Sequence, residues 1–290
     1  MNVAVLGSGS WGTALAILLA RNGHLVTLVG RSPEEIQDLQ ESRINHRYLP
    51  DFEVPEPTAF SLIHEDLGAV DMTVVAEALP RSEQAAISGP NLAVEIVRGI
   101  PTAAVAASSN PDSAETVRGA FMCRTFRVYK SADVAGVELA GSLKNVLAIG
   151  AGMSDGLGFG DNTKGALLAR GLGEMTTLGL SMSACQETFM GLAGVGDLFA
   201  TAASQLSRNY RVGRSLGEGI GLNQAVERVD QVVEGVTTSA CAQILAERYK
   251  VDMPMFAAID AVIKGQVSPM DAVRQLMERT PKAEGLANSH

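Results

Sequence analysis

Mainly apolar positions near the amino terminus fall into two short runs, 2–6 (NVAVL) and 25–29 (LVTLV), with an Ala/Leu-rich stretch at 13–22 between them that closes on Gly23. Short unbroken runs rich in β-branched residues predict strands buried on both faces, and a longer stretch of helix formers ending at glycine predicts a helix. Together they predict a βαβ unit of about thirty residues, the smallest piece of a parallel sheet. A second helix is expected over 33–42, with Ser32 as its N-cap and Pro33 at its first position. The prolines within 48–58 predict a loop. Further strands are expected at 72–76, 85–87, 102–107 and 125–129. From Asp133 onward the pattern changes to long Ala/Leu/Gly/Met-rich segments of helical period, so a second, helical domain is expected to begin near Ser131. The polar tail from Arg279 is expected to fray.

Composition narrows the class. The 290 residues are 46% hydrophobic and 19% charged, enough to bury a sizeable core and too apolar for a disordered chain. The formal net charge of -9 disfavours nucleic acid and anionic bilayers as partners, so any anion must be held by a local cluster of cations. No run approaches the ~18 uninterrupted apolar residues of a membrane span, and no stable membrane insertion is expected. Cys123, Cys185 and Cys241 are odd in number and lack CxxC spacing, which fits a reducing cytoplasm. Neither they nor the four histidines show metal-ligand spacing, and no metal site is expected.

Candidate chemistry starts at the first predicted turn. Gly7, Gly9 and Gly12 form G-x-G-x-x-G between strand and helix, with Ser10 and Trp11 inside the motif. Glycines there permit a tight turn and close approach of backbone to a pyrophosphate at a helix N-terminus, which points to dinucleotide binding on a Rossmann-like α/β domain. The second strand ends in VGRS, where an NAD-type site usually carries an acid. Arg31 and Ser32 suit a 2'-phosphate, so NADP(H) is preferred with NAD(H) possible; the alternative is a solvated arginine on a loop.

Longer motifs follow: NHRYLP at 45–50, SGPNLAVEI at 88–96, GVELAGSLKNVLAIGAGMSDGLGFGDNTKGAL at 136–167, GVGDLFAT at 194–201, SRNYRVG at 207–213 and VVEG at 232–235. With the glycine motif, they resemble the soluble, bacterial-type NAD(P)-dependent glycerol-3-phosphate dehydrogenases over nearly the whole chain. The resemblance implies reversible reduction of dihydroxyacetone phosphate to sn-glycerol 3-phosphate for phospholipid synthesis. It also implies a Rossmann-like N-terminal domain over 1–130, an all-helical substrate-binding domain over 131–290, a cleft between them, and a cytoplasmic homodimer. Lys144 matches the family's catalytic lysine, a proton donor during reduction whose basicity a neighbour such as Lys164 could lower. Asp197 matches the residue that holds the lysine and touches substrate, although the same GD could simply cap a helix. Thr201, Ser207, Arg208 and Asn209 match substrate-binding positions, Arg208 also facing the cofactor; as a bare charge run this segment would be a solvated helix face. Gly89 and Asn91 match a turn touching substrate, and Ala93, Val232 and Glu234 match positions near the cofactor. Asn145, Asn162 and Lys164 lie in the central motif and are expected to line the site.

One departure stands out. Only residues 77–84 join the strands expected at 72–76 and 85–87, fewer than the ~10 to 12 a parallel crossover needs. The family carries there a longer stretch with a cofactor turn, a helix, a strand and a lysine-glycine motif, so the N-terminal domain is shortened between Ala76 and Ser88. A deletion, residues left out of the sequence, or completion of the sheet by another subunit would account for it, and the close match of both flanks to the family favours the first two. Rival readings are therefore a catalytically impaired nucleotide-binding homologue, or a related reductase of another small carbonyl compound.

Overall fold

A computed structural model describes residues 1–63, 65, 67, 69–74, 83–229 and 231–280. The chain forms two compact units, Met1–Ala85 with Asn91–Ala132, and Ala86–Pro90 with Asp133–His290.

The first unit contains the expected βαβ start: β1 (Asn2–Leu6), α1 (Ser10–Arg21), β2 (Leu25–Gly30) and α2 (Pro33–Ser42). Val3, Ala4 and Val5 are essentially inaccessible, as the unbroken apolar run requires of a central strand. Helix α1 starts three residues earlier than the alanine run indicates, because glycines in a first helical turn cost little where the N–H groups have no intrahelical acceptor anyway. Ser32 caps α2 by accepting from the Glu35 N–H at 3.2 Å, with Pro33 in the first turn.

The loop expected over 48–58 needs correction. β3 (Ile44–Asn45) pairs antiparallel with β4 (Leu49–Glu53) through a register shift between Ile44 and Asn45. Pro50 is tolerated because a two-stranded ribbon has an outer edge that needs no ladder donor. β5 (Ala59–Leu62) and β6 (Met72–Val74) complete a four-stranded sheet ordered β5-β2-β1-β6, whose neighbours all run parallel. After β7 (Ala86–Ser88), which contacts place in the second unit, come α3 (Ala93–Val97), β8 (Thr102–Ala107), α4 (Pro111–Phe121) and β9 (Phe126–Ser131), with β8 and β9 parallel. The end of the strand expected at 72–76, most of the shortened connection and the last ten residues of the tail lie outside the described residues.

The second unit is helical apart from β7. Its axis is α5 (Val134–Gly156), a 23-residue helix long and apolar enough to cross a membrane, but 61% of its most apolar window is buried inside the protein and Lys144 lies midway along it. Around it lie α6 (Asp161–Ser181), α7 (Gln186–Met190), a π-type turn over Leu192–Gly196, α8 (Asp197–Ala203) and α9 (Arg208–Gly217). The unit continues with α10 (Leu222–Glu227), α11 (Glu234–Tyr249), α12 (Pro254–Ile263) and α13 (Pro269–Met277). Asp133 starts α5 by accepting from the Gly136 N–H at 2.9 Å, and its second oxygen accepts from the Cys185 N–H and the Thr188 hydroxyl, so one carboxylate ties two helix starts. Small residues let α5 and α9 meet backbone to backbone: a Cβ on Gly152 would lie 2.1 Å from the Tyr210 carbonyl oxygen, and one on Gly213 1.9 Å from that of Ile149. That close crossing fixes Lys144 and Asn145 on one helix relative to Arg208 and Asn209 on the other.

Candidate active site

In the first unit the glycine motif turns from β1 into α1. Gly7 adopts φ 121°, and a Cβ on Gly12 would sit 1.9 Å from the Gly7 carbonyl oxygen, so only glycine permits this approach of helix to strand. A Cβ on Gly9 would meet nothing within 4 Å, leaving open space in front of the turn. No side chain caps α1 and no acid occupies its first turn, so the N–H groups of Ser10, Trp11 and Gly12 face an anion without competition. An uncapped helix start with open space at the second glycine fits the pyrophosphate of a dinucleotide.

Arg31, one residue past β2, is exposed and makes no ion pair or hydrogen bond among the described residues. Beside it, the Ser32 hydroxyl donates to Glu34 at 2.7 Å, and that bond holds the Glu34 carboxyl below its ordinary range. A cation and an acid thus flank the same point, an arrangement the VGRS motif alone does not reveal. Ala93 opens α3, which packs on α1 in the same unit. The Asn91 side-chain oxygen is buried without a hydrogen-bond partner among the described residues, an acceptor left for a ligand hydroxyl or N–H.

The second unit brings the central motifs together. Lys144 and Asp197 form a close ion pair, with side chains 17% and 3% exposed. Burial pushes the Asp197 carboxyl up, while the Lys144 ammonium, the Thr201 hydroxyl at 3.2 Å and the Gly89 N–H oppose that by stabilising its charge. The alternative in which Asp197 caps a helix is overturned: the π-type turn runs straight into α8 and no side-chain cap forms there. Thr201 lies one turn along the same face, as its spacing from Asp197 predicts. Nor is Lys164 free to act on Lys144 as an unpaired cation, because its Nζ is 2.6 Å from Asp155 Oδ2, which also accepts from Tyr210 Oη at 2.5 Å.

Ser207 caps α9, accepting from the Tyr210 N–H, and Arg208 stands at the first position of that ten-residue helix. The Arg208 guanidinium is 3.6 Å from Glu234 Oε1 at the start of α11. Asn145 Nδ2 donates to the other Glu234 oxygen at 3.1 Å, Asn209 Nδ2 donates to Asn145 Oδ1 at 2.9 Å, and Asn209 Oδ1 accepts from the Gly235 N–H at 2.9 Å. Asn209 thereby registers α9 against α5 and α11 while using one of the two hydrogens on its Nδ2. Val232 is exposed and Asn162 lies on the exposed first turn of α6.

A buried lysine-carboxylate pair with an arginine at a neighbouring helix start, joined in one chain to a glycine-turn parallel sheet, defines a nucleotide-dependent oxidoreductase class. Residues 133–274 match the sequence model of the NAD-dependent glycerol-3-phosphate dehydrogenase C-terminus, and residues 2–76 and 62–114 match that of its N-terminus. The glycerol-3-phosphate dehydrogenase (NAD(P)+) of Thermoanaerobacter sp. is 40% identical over 327 aligned positions, covering 98% of this chain and 99% of the relative. That of Syntrophotalea carbinolica is 40% identical over 334 positions, with the same coverage. The crystal structure of glycerol-3-phosphate dehydrogenase from Coxiella burnetii superposes with a TM-score of 0.89 at 34% identity, over 96% of this chain and 99% of that one. The chain belongs to the NAD-dependent glycerol-3-phosphate dehydrogenase family. Because the alignments are longer than the 290 residues of the chain, the relatives carry residues with no counterpart here.

Proposed function

We propose that this chain reduces dihydroxyacetone phosphate reversibly to sn-glycerol 3-phosphate with NAD(P)H, the step that supplies phospholipid backbones. The observation that carries the reading is the buried Lys144–Asp197 pair. When bound, the nicotinamide supplies a hydride to the carbonyl carbon. Lys144 Nζ delivers the proton to the developing alkoxide oxygen, and in the reverse direction takes it back. Asp197 holds and aims the ammonium, and Thr201 orients that carboxylate. Arg208, with the free N–H groups at the start of α9, holds the substrate phosphate; the Asn145–Asn209 bond keeps α9 in place. Gly89, Asn91, Thr201, Ser207 and Asn209 complete the substrate contacts, and Ala93, Arg208, Val232 and Glu234 those to the cofactor.

The functional division we adopt is a dinucleotide-binding domain over 1–130 and a substrate-binding domain over 131–290. NADP(H) is preferred, because Arg31 offers a cation to a 2'-phosphate, and the Ser32 hydroxyl beside it can donate there by turning away from Glu34. The working form is a cytoplasmic homodimer. The deciding experiment follows NADPH oxidation with dihydroxyacetone phosphate in wild type and Lys144→Ala: turnover should be lost in the variant with nucleotide affinity intact. Turnover retained by the variant would remove Lys144 as proton donor. A second reading, binding without catalysis, draws support from the residues present in the relatives and absent here; wild type that binds NADPH but never turns over would select it.

A further inference from the structure

We propose that Asn45, in the NHRYLP segment, is a positioning residue for the dinucleotide; this rests on reading the glycine turn as the pyrophosphate cradle. Its side chain is buried, and Nδ2 donates to the Ser8 carbonyl oxygen and to Thr13 Oγ1, both at 2.8 Å. Thr13 Oγ1 itself donates to the Ser8 carbonyl at 3.3 Å, and Asn45 Oδ1 accepts from the Tyr48 N–H at 3.2 Å. Ser8 lies between Gly7 and Gly9, neither of which has a side chain to anchor the turn. In a planar trans peptide the carbonyl and the following N–H point in opposite directions. Drawing the Ser8 carbonyl toward Asn45 therefore turns the Gly9 N–H the other way. That N–H has no acceptor among the described residues, and the space beside Gly9 is open. Asn45 lies at the register shift of the β3–β4 ribbon. Asn45 thus sets the donor that a pyrophosphate meets without touching it.

The test measures NADPH and NADH affinity calorimetrically on the full chain, with sn-glycerol 3-phosphate as a separate ligand. Asn45→Asp keeps the shape and the Tyr48 contact but opposes a carboxylate to the Ser8 carbonyl. Affinity for both nucleotides should fall by the same factor, about tenfold or more, because the pyrophosphate is common to both, while sn-glycerol 3-phosphate affinity stays at the wild-type value. Should that variant fail to fold, Thr13→Val, which removes the shared hydroxyl, should weaken both nucleotides, and Thr13→Ser should restore them. Unchanged nucleotide affinity in a folded variant, a Thr13→Ser no better than Thr13→Val, or an equal loss of sn-glycerol 3-phosphate affinity would overturn the proposal. Wild type that binds neither nucleotide would instead defeat the cradle itself, and the role of Asn45 with it.

Discussion

In the first unit the candidate site is made of backbone: three glycines, the free N–H groups of α1 and an asparagine that grips a carbonyl. In the second it is made of side chains, a buried ammonium and carboxylate with an arginine and two asparagines tied across three helices. The first needs shape and the absence of competing groups; the second needs charge held against its own desolvation. A backbone site fails when atoms are added, and a side-chain site fails when atoms or charges are removed.

The largest expected effect tests the second kind. Asp197→Asn conserves volume but leaves Lys144 without its buried counter-charge, and breaking such a pair costs roughly 3–5 kcal/mol. Steady-state kinetics should show kcat reduced roughly 100- to 1000-fold with NADPH affinity near wild type; an unchanged kcat would mean that Asp197 only fills space. Gly12→Ala adds a single carbon where 1.9 Å is available, so helix or turn must shift. Calorimetry should show nucleotide affinity down roughly 100-fold, with sn-glycerol 3-phosphate binding preserved; joint loss of both would show that the contrast between the sites is false.

Smaller effects sharpen the picture. Arg31→Ala should cost about tenfold in NADPH affinity, the scale of one charge-assisted contact, and little in NADH affinity. Equal losses would reassign Arg31, and a rise in NADPH affinity on Glu34→Gln would show that the neighbouring acid opposes the 2'-phosphate. The smallest effect lies away from both sites. Glu174 on α6 accepts from the Met255 and Phe256 N–H groups at the start of α12, and burial pushes its carboxyl up to about 7. The folded chain then binds a proton that the unfolded chain releases near its ordinary value of 4.5, so this group's contribution to stability is full below about pH 4.5 and declines up to about pH 7. Glu174→Gln should flatten that decline and leave the protein about 1 kcal/mol more stable than wild type at pH 8 by denaturant titration, the gain limited by the weaker helix cap. A pH profile unchanged by the substitution would remove the buried charge from the account.

Legibility followed the kind of signal each region carries. The opening βαβ unit and the Ser32 cap could be read because unbroken apolar runs and capping residues act locally. Asn110, just ahead of Pro111 and accepting from the Asp112 N–H, is an equally plain helix start for α4. The ribbon of β3 and β4 was masked by prolines, whose meaning depends on whether the strand has a free edge. The NHRYLP motif marks Asn45 without giving its role, because its partners Ser8 and Thr13 are more than thirty positions away in sequence.

The sequence by itself determined the parallel sheet opening on a glycine turn, the change to a helical pattern near Ser131, and the family, since these rest on residue spacing and on motifs read in order along the chain. Tertiary structure decided what each polar group does. It showed that Asp197 leaves the helix start uncapped, that Lys164 is held by Asp155, that Asn209 bonds Asn145 and Gly235, and that Glu34 stands beside Arg31 and Ser32. Hydrophobic pattern and backbone preference act over a turn or two of chain, whereas a side chain's charge and hydrogen bonds are set by whichever residues folding brings within about 3 Å of it.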